Sequence, residues 1–235
     1  MPIYYYMPPG EWEDAPGDDE APDEESVFEF VRRVWNNTRW GWKHWIMGFE
    51  FIPVDAVEDA YIVLHRQPQH RLDRFGKDMR GYNLAVLDRR PMEIYALKEV
   101  WDHPPLRTSR FPSNTEYRIY VLNHELGHVL GLHKHGERCD GAGKAPVMMQ
   151  HTRGHPCATS SAWPGVADGM RLRHHWDTLL LQAWHASSRG SAPKVVHAML
   201  VEPPNGLEAW ERVMPGGGGG SEGDSEGEGE DESEE

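Results

Sequence analysis

Two histidines four residues apart, with a glutamate beside the first, are the residues whose types and spacing point most directly to chemistry. They occur in the run His124-Glu125-Leu126-Gly127-His128. A helical turn takes about 3.6 residues, so both imidazoles project from one side of a helix and can reach one zinc ion. Glu125 is rotated about 100° from His124, which suits a carboxylate that takes a proton from a metal-activated water. The spacing therefore predicts a zinc hydrolase site.

A third ligand is expected soon after the helix. Gly131 follows the second histidine by three residues, where a glycine can end the helix and let the chain turn sharply. The next run, residues 133–135, is His-Lys-His and can return a histidine to the metal. Zinc hydrolases can also take a glutamate from a later helix, but none occurs between residues 138 and 201. That second arrangement is excluded.

The pattern continues well beyond the histidine motif. Its further members are, in order, Tyr117-Arg118, Tyr120-Val121, Asn123, Leu130-Gly131, Cys139, Gly141-Ala142-Gly143, Ala145-Pro146-Val147-Met148-Met149-Gln150, Thr152, Gly154, Cys157 and Trp163-Pro164. This arrangement resembles a metzincin-like family, a domain of unknown function found mainly in secreted bacterial proteins. The likeness is looser upstream and covers most of residues 26–185.

The resemblance implies a zinc metallopeptidase in which Met148 lies in a turn beneath the metal ligands. In the metzincin pattern the third histidine lies ten residues after the first, but Lys134 occupies that position here. A protonated lysine is a poor zinc ligand. Counting back from Cys139 preserves the family spacing with one inserted residue and favours His135 as the third ligand. His133 is the alternative.

The two cysteines, Cys139 and Cys157, flank the methionine turn, and the resembling family also has a pair there. The resemblance implies a disulfide, which would contribute about 3 kcal/mol in the chain-entropy model. Such a bond favours a secreted protein or another oxidising compartment. The alternative is two free thiols in an intracellular protein, and the start of the chain lacks the features of a secretory signal.

Charge divides the chain into three parts. Residues 11–25 and 222–235 each carry nine acidic residues and no lysine or arginine, so the part between them holds 20 acids against all 24 basic residues. We expect residues 1–25 to be a disordered acidic segment and residues 215–235 a disordered Gly-rich acidic tail. Residues 26–214 are then the peptidase domain.

Hydrophobic spacing predicts the elements that position the site. A helix is expected after Ser26, ending near residues 36–37, and the motif helix should begin near residues 114–116, capped by Asn114 or Thr115. A later helix is expected at about residues 169–186. The predicted strands are Gly48–Val54, Ala60–His65, Tyr82–Asp88 and Met92–Leu97. Together with the resemblance, these elements indicate an α+β, metzincin-like fold: a mixed, twisted sheet over the active-site helix, with a C-terminal helix and disordered tails.

Two classes of function fit these residues. The first is a zinc-dependent endopeptidase that hydrolyses peptide bonds, with Zn²⁺ held by His124, His128 and His135 and with Glu125 as the catalytic base. The second is a non-catalytic binding module that the same metal stabilises. Retention of Glu125 favours the first, since a structural site needs no acid there. We expect a peptide or protein substrate, no nucleic acid and no membrane span, since no run of about 18 apolar residues occurs.

Overall fold

A mixed sheet and several helices make up the protein. The computed structural model describes residues 2–17, 25–45, 49–76, 81–136, 138–152 and 154–186. The strands are β1 (Pro2–Tyr6), β2 (Glu50–Pro53), β3 (Ile62–Gln67), β4 (Leu84–Val86), β5 (Met92–Leu97), β6 (Lys144–Ala145) and β7 (Thr159–Ser160). The helices are α1 (Pro9–Trp12), α2 (Val27–Trp35), α3 (Trp42–Trp45), α4 (Gln69–Leu72), α5 (Lys98–Asp102), α6 (Leu106–Ser109), α7 (Asn114–Val129) and α8 (Val166–Ala186).

The main sheet has five strands in the order β2-β1-β3-β5-β4. Its strands are parallel except β4, which runs antiparallel to β5 at one end of the sheet. The mixed α/β architecture is therefore as predicted, and the four expected strands are present. The range Met92–Leu97 is confirmed without change, whereas β2, β3 and β4 each differ from their predicted bounds by one or two residues at both ends.

The prediction that residues 1–25 are disordered is wrong for residues 2–17. β1 lies inside the sheet, paired on one side with β2 and on the other with β3. Tyr5 is buried and its ring meets the ring of Trp35 on α2 at 4.9 Å, and Trp12 is fully buried and donates to the carbonyl of Leu64. The apolar residues before the acidic run thus belong to the core, and the predicted domain start at residue 26 is also wrong.

Charged side chains attach the same segment to the sheet. The guanidinium of Arg66 on β3 is buried and pairs with Asp102 at 2.5 Å and with Asp14 at 2.6 Å. A buried cation needs such partners, because an unpaired one would lose its hydration without compensation. Glu11 and Asp14 belong to the segment that was expected to be disordered, but both contact the domain.

Serine side chains cap the N-termini of α2 and α7. The side chain of Ser26 accepts from the amide of Glu29 at the start of α2, as predicted. On α7 the cap is Ser113, whose side chain accepts from the amide of Glu116, so the predicted cap lies one or two residues too late. α7 packs against β4, β5 and α2, with nearly all of its side chains buried. This helix carries the histidine motif beneath the sheet.

The last helix begins three residues before the predicted start, at Val166. The prediction of a disordered tail at residues 215–235, and the end of the domain at residue 214, lie outside the described residues. No helix in the described part of the chain is long and apolar enough to cross a membrane.

Candidate metal centre and cleft

Helix α7 places the first two histidines on one side. The ring centroids of His124 and His128 lie 4.9 Å apart, one helical turn from each other along the axis. His124 is 1% exposed, whereas His128 is partly open to the cleft. The two imidazoles therefore lie on one side of the helix, as their spacing predicts.

The chain reverses at Gly131 and brings a third histidine back. The amide of Leu132 donates to the carbonyl of Gly127, and that of Gly131 to His128, a pattern that closes a helix through a left-handed residue. Gly131 has φ of +107°, a conformation that favours glycine. The predicted end of the motif helix is thus correct.

His135 is the histidine that joins the first two. Its ring centroid lies 5.1 Å from that of His124 and 5.0 Å from that of His128. One nitrogen from each of these three rings lies within 4.8 Å of the others, a group able to hold a metal ion. His133 lines the same cleft but is not in this group, and its ring faces that of His175 at 6.3 Å.

Hydrogen bonds fix which nitrogen each helical histidine offers. Nδ1 of His124 donates to the carbonyl of Val147 at 2.8 Å, and Nδ1 of His128 donates to the carbonyl of Leu132 at 2.8 Å. A carbonyl only accepts, so the proton is on Nδ1 and the lone pair is on Nε2 in both rings. Nε2 of His124 is buried without a hydrogen-bond partner among the described residues. A metal ion would satisfy that atom.

Burial keeps these imidazoles neutral. It lowers the pKa of His128 to about 4 and holds the pKa of His124 well below its usual value. A neutral imidazole is the form that binds a metal, so protons compete weakly for both ligands at neutral pH.

Glu125 lines the cleft with the histidines and is 3% exposed. Burial raises the pKa of its carboxyl to about 8. A divalent cation held by the neighbouring histidines would favour the charged carboxylate and oppose this rise. The residue is therefore suited to exchange a proton near neutral pH once a metal is present.

The predicted methionine turn lies directly under the helix. The amide of Met149 donates to the carbonyl of Pro146, which closes a turn with Val147 and Met148 at its centre, both fully buried. Val147 supplies the carbonyl that orients His124. Met148 packs against Gly127 of the motif helix. The turn therefore supports the site through one hydrogen bond and one close contact.

Asp168 is a supporting residue that sequence reasoning missed. It is 1% exposed and accepts from the amides of Val147, Met148 and Gly165 at 3.1, 3.4 and 3.2 Å. Burial raises the pKa of this carboxyl, although the three amides favour its charged form. Asp168 lies three residues after Gly165, the residue that precedes α8, and this position is typical of a carboxylate that caps a helix. Its second role, on the methionine turn, has no signal in the sequence.

The predicted disulfide between Cys139 and Cys157 is present. It joins the loop that follows the third histidine to the segment after the methionine turn, beside the short β6–β7 pair. Cys157 packs with Ala145 and Met149 in a small apolar cluster. A disulfide is compatible with a secreted protein or an oxidising compartment.

The histidines open onto a cleft that is also lined by β4 and by residues on either side of it. The lining residues outside the histidine motif are Asn83, Leu84, Ala85, Leu87, His133, His135 and Gln150. Gln150 directly follows the methionine turn and ends the run of residues that carries the resemblance, but the sequence pattern indicates no role for it in the site. It lies in the cleft with Glu125.

Comparison with known proteins finds one family. Residues 111–160 match the model of a family described as a protein of unknown function (DUF3152). The matched segment contains α7, the three histidines, the methionine turn and both cysteines, but less than half of the chain. No curated protein and no solved structure matches. The segment that carries the candidate metal centre is therefore similar to a family whose description names no function.

Proposed function

We propose that the protein is a zinc-dependent, metzincin-like peptidase. The observation that carries the proposal is the grouping of His124, His128 and His135, with nitrogens within 4.8 Å of one another, beside the buried carboxylate of Glu125 in one open cleft. Three neutral imidazoles are a ligand set that suits zinc among the metals that proteins use. Cysteine is not available as a ligand, because both cysteines form the disulfide.

The roles of the residues follow from their chemistry. A bound Zn²⁺ supplies a Lewis acid that activates a water molecule and polarises the scissile carbonyl. Glu125 accepts the proton that the attacking water loses, and then gives this proton to the departing amine. His124 and His128 are held in one tautomer by the carbonyls of Val147 and Leu132, so their Nε2 atoms remain free for the metal.

The cleft supports a peptide in extended form as the substrate. β4 is the end strand of the sheet, and Leu84 and Ala85 line the same cleft as the histidines. An extended chain can lie along such an edge and bond to its main chain, with a carbonyl directed towards the metal. We therefore propose that substrates lie beside β4.

The openness of the centre disfavours a purely structural metal. Structural zinc sites are closed by four protein ligands, whereas catalytic sites have three and an open position. In the described part of the chain the group that can hold a metal has three histidines and opens to the cleft through the exposed His135. This arrangement favours the peptidase over the non-catalytic, zinc-stabilised module.

Metal removal and restoration test the proposal. The purified protein should hydrolyse fluorescently labelled casein, lose this activity in 1,10-phenanthroline and regain it when stoichiometric Zn²⁺ is added after dialysis. Magnesium and calcium should not restore it, because they prefer oxygen ligands. A zinc-loaded protein with no hydrolysis of casein or of a random peptide library would favour the structural module instead.

A further inference from the structure

Gln150 presents an amide to the cleft that contains the candidate metal centre. It follows the methionine turn directly and lines the cleft together with His124 and Glu125. Its side chain is partly exposed, whereas the neighbouring Met149 and His151 are buried. A polar side chain with two donors and one acceptor oxygen is therefore placed where a substrate would lie.

The hydroxyl of Tyr120 lies beside the oxygen end of this amide. The amide of His151 donates to the Tyr120 oxygen at 3.0 Å. The single hydroxyl proton then has two acceptors within reach, Oε1 of Gln150 at 3.2 Å and the carbonyl of Met149 at 3.4 Å, of which Oε1 is the nearer. Because Oε1 faces the hydroxyl, the NH₂ group is at the opposite end of the amide. Among the described residues, this NH₂ has no hydrogen-bond partner.

Tyr120 is itself held rigidly. Its side chain is 1% exposed, and its ring stacks on His151 with centroids 4.3 Å apart and planes 4° from parallel. Phe111 packs against both rings. Tyr120 also lies one turn before His124 on α7, with ring centroids 5.2 Å apart. The amide of Gln150 is thus oriented by the same helix that carries the metal ligands.

We propose that the NH₂ group of Gln150 donates a hydrogen bond to the oxygen of the scissile carbonyl as that oxygen gains negative charge. Tyr120 is the positioning residue that orients this donor. The proposal rests on the peptidase function proposed above. A fixed donor is effective here because it needs no reorganisation as the charge develops, and loss of one such donor lowers kcat by about 100-fold or more.

Substitutions at Gln150 and Tyr120 test the roles in hydrolysis. Gln150→Met retains the length of the side chain without a donor, and should lower kcat about 100-fold with KM changed little. Gln150→Glu retains the acceptor for Tyr120 but removes the donor and adds charge, and should be at least as impaired. Tyr120→Phe should lower kcat less than Gln150→Met does. When it is added to Gln150→Met, it should lower kcat no further. Additive losses would contradict the positioning role of Tyr120.

Ligand binding to the zinc-loaded protein gives a measurement that does not need hydrolysis. Acetohydroxamate offers a carbonyl oxygen to the metal, whereas imidazole binds through nitrogen and offers none. Gln150→Met should weaken acetohydroxamate binding about tenfold and leave imidazole binding unchanged, at equal zinc content and with an unchanged circular dichroism spectrum. Equal affinity of wild type and Gln150→Met for acetohydroxamate would overturn the role of Gln150.

The two proposals fail in different ways. A wild-type protein that binds zinc and acetohydroxamate but hydrolyses nothing contradicts the peptidase function, while the hydroxamate comparison still decides whether Gln150 is a donor. Hydrolysis that is unchanged in Gln150→Met leaves the peptidase intact and overturns the inference on Gln150. A wild-type protein that binds neither zinc nor the hydroxamate overturns both.

Discussion

The sulfur of Met148 occupies the space that a β-carbon on Gly127 would need, so the methionine turn touches the motif helix between its two histidines. The ring of Trp42 closes the same space, with its Cζ2 atom 2.8 Å from that β-carbon position. In a helix, alanine ordinarily increases stability by about 1 kcal/mol relative to glycine. At Gly127 this gain is opposed by overpacking in a fully buried site.

We therefore expect Gly127→Ala to lower the free energy of unfolding by about 1–3 kcal/mol, measured by urea denaturation. It should also weaken zinc binding, because the helix must move away from the turn. Gly10→Ala is the matched control, since no atom lies within 4 Å of its β-carbon position. Equal stability of the two variants would show that Met148 does not restrain the helix.

His135→Ala should weaken zinc binding far more than His133→Ala. The ring of His135 completes the group with His124 and His128, whereas His133 faces His175. Loss of a residue that only supports a ligand costs at most about 100-fold in affinity, so loss of His135 should exceed this value. Competition with a chromophoric chelator ranks the variants, and the reverse order would assign His133 as the ligand.

His151 should make the protein sensitive to acid. Burial lowers the pKa of this imidazole to about 3, and its Nδ1 is buried without a partner among the described residues. The unfolded state, with a pKa near 6.5, then binds more protons, so stability is full above about pH 6.5 and falls as the pH decreases towards 3. The loss from this residue is about 2 kcal/mol at pH 5.

His151→Phe preserves an aromatic ring against Tyr120 and cannot titrate. It loses the hydrogen bond to Pro146, so the pH slope rather than the absolute stability is the quantity to compare. Between pH 7 and pH 5 the unfolding free energy of the variant should fall less than that of the wild type, while above pH 7 the two curves should run parallel. The same slope in both proteins would contradict the low pKa.

Removal of the disulfide should destabilise the protein without abolishing its zinc site. Replacing Cys139 and Cys157 by serine opens a loop with a sequence separation of 18 residues, which costs about 3 kcal/mol in the chain-entropy model. Thermal unfolding with and without dithiothreitol measures it. The reductant should lower the Tm of the wild type and leave the Tm of the variant unchanged. An unchanged Tm of the wild type in dithiothreitol would contradict a stabilising role of the disulfide.

The sequence predicted elements whose signal is local. The bounds of strand β5 are predicted correctly because a short segment with β-branched and aromatic residues follows Pro91, and helical spacing alone identifies His124, Glu125 and His128. β1 was missed because its place in the sheet depends on pairing with β2, more than 40 residues later. Because an acidic run follows β1, the composition of residues 1–25 as a whole is typical of a disordered segment.

The rest of the site depends on contacts that no short pattern records. The choice of His135 over His133 follows from the path of a turn after Gly131. Asp168 reaches the methionine turn from a different helix, and Tyr120 meets Gln150 across 30 residues of sequence. Such pairs become visible only when the tertiary structure places them together.

The comparison of wild type with Glu125→Gln, at equal and measured zinc occupancy, tests the central claim most directly. The amide retains the size of the side chain but cannot accept the proton of the attacking water. Both proteins should bind about one zinc ion, and the variant should lose at least about 100-fold in kcat on casein. Hydrolysis by the zinc-loaded variant at the rate of the wild type would contradict the proposed mechanism.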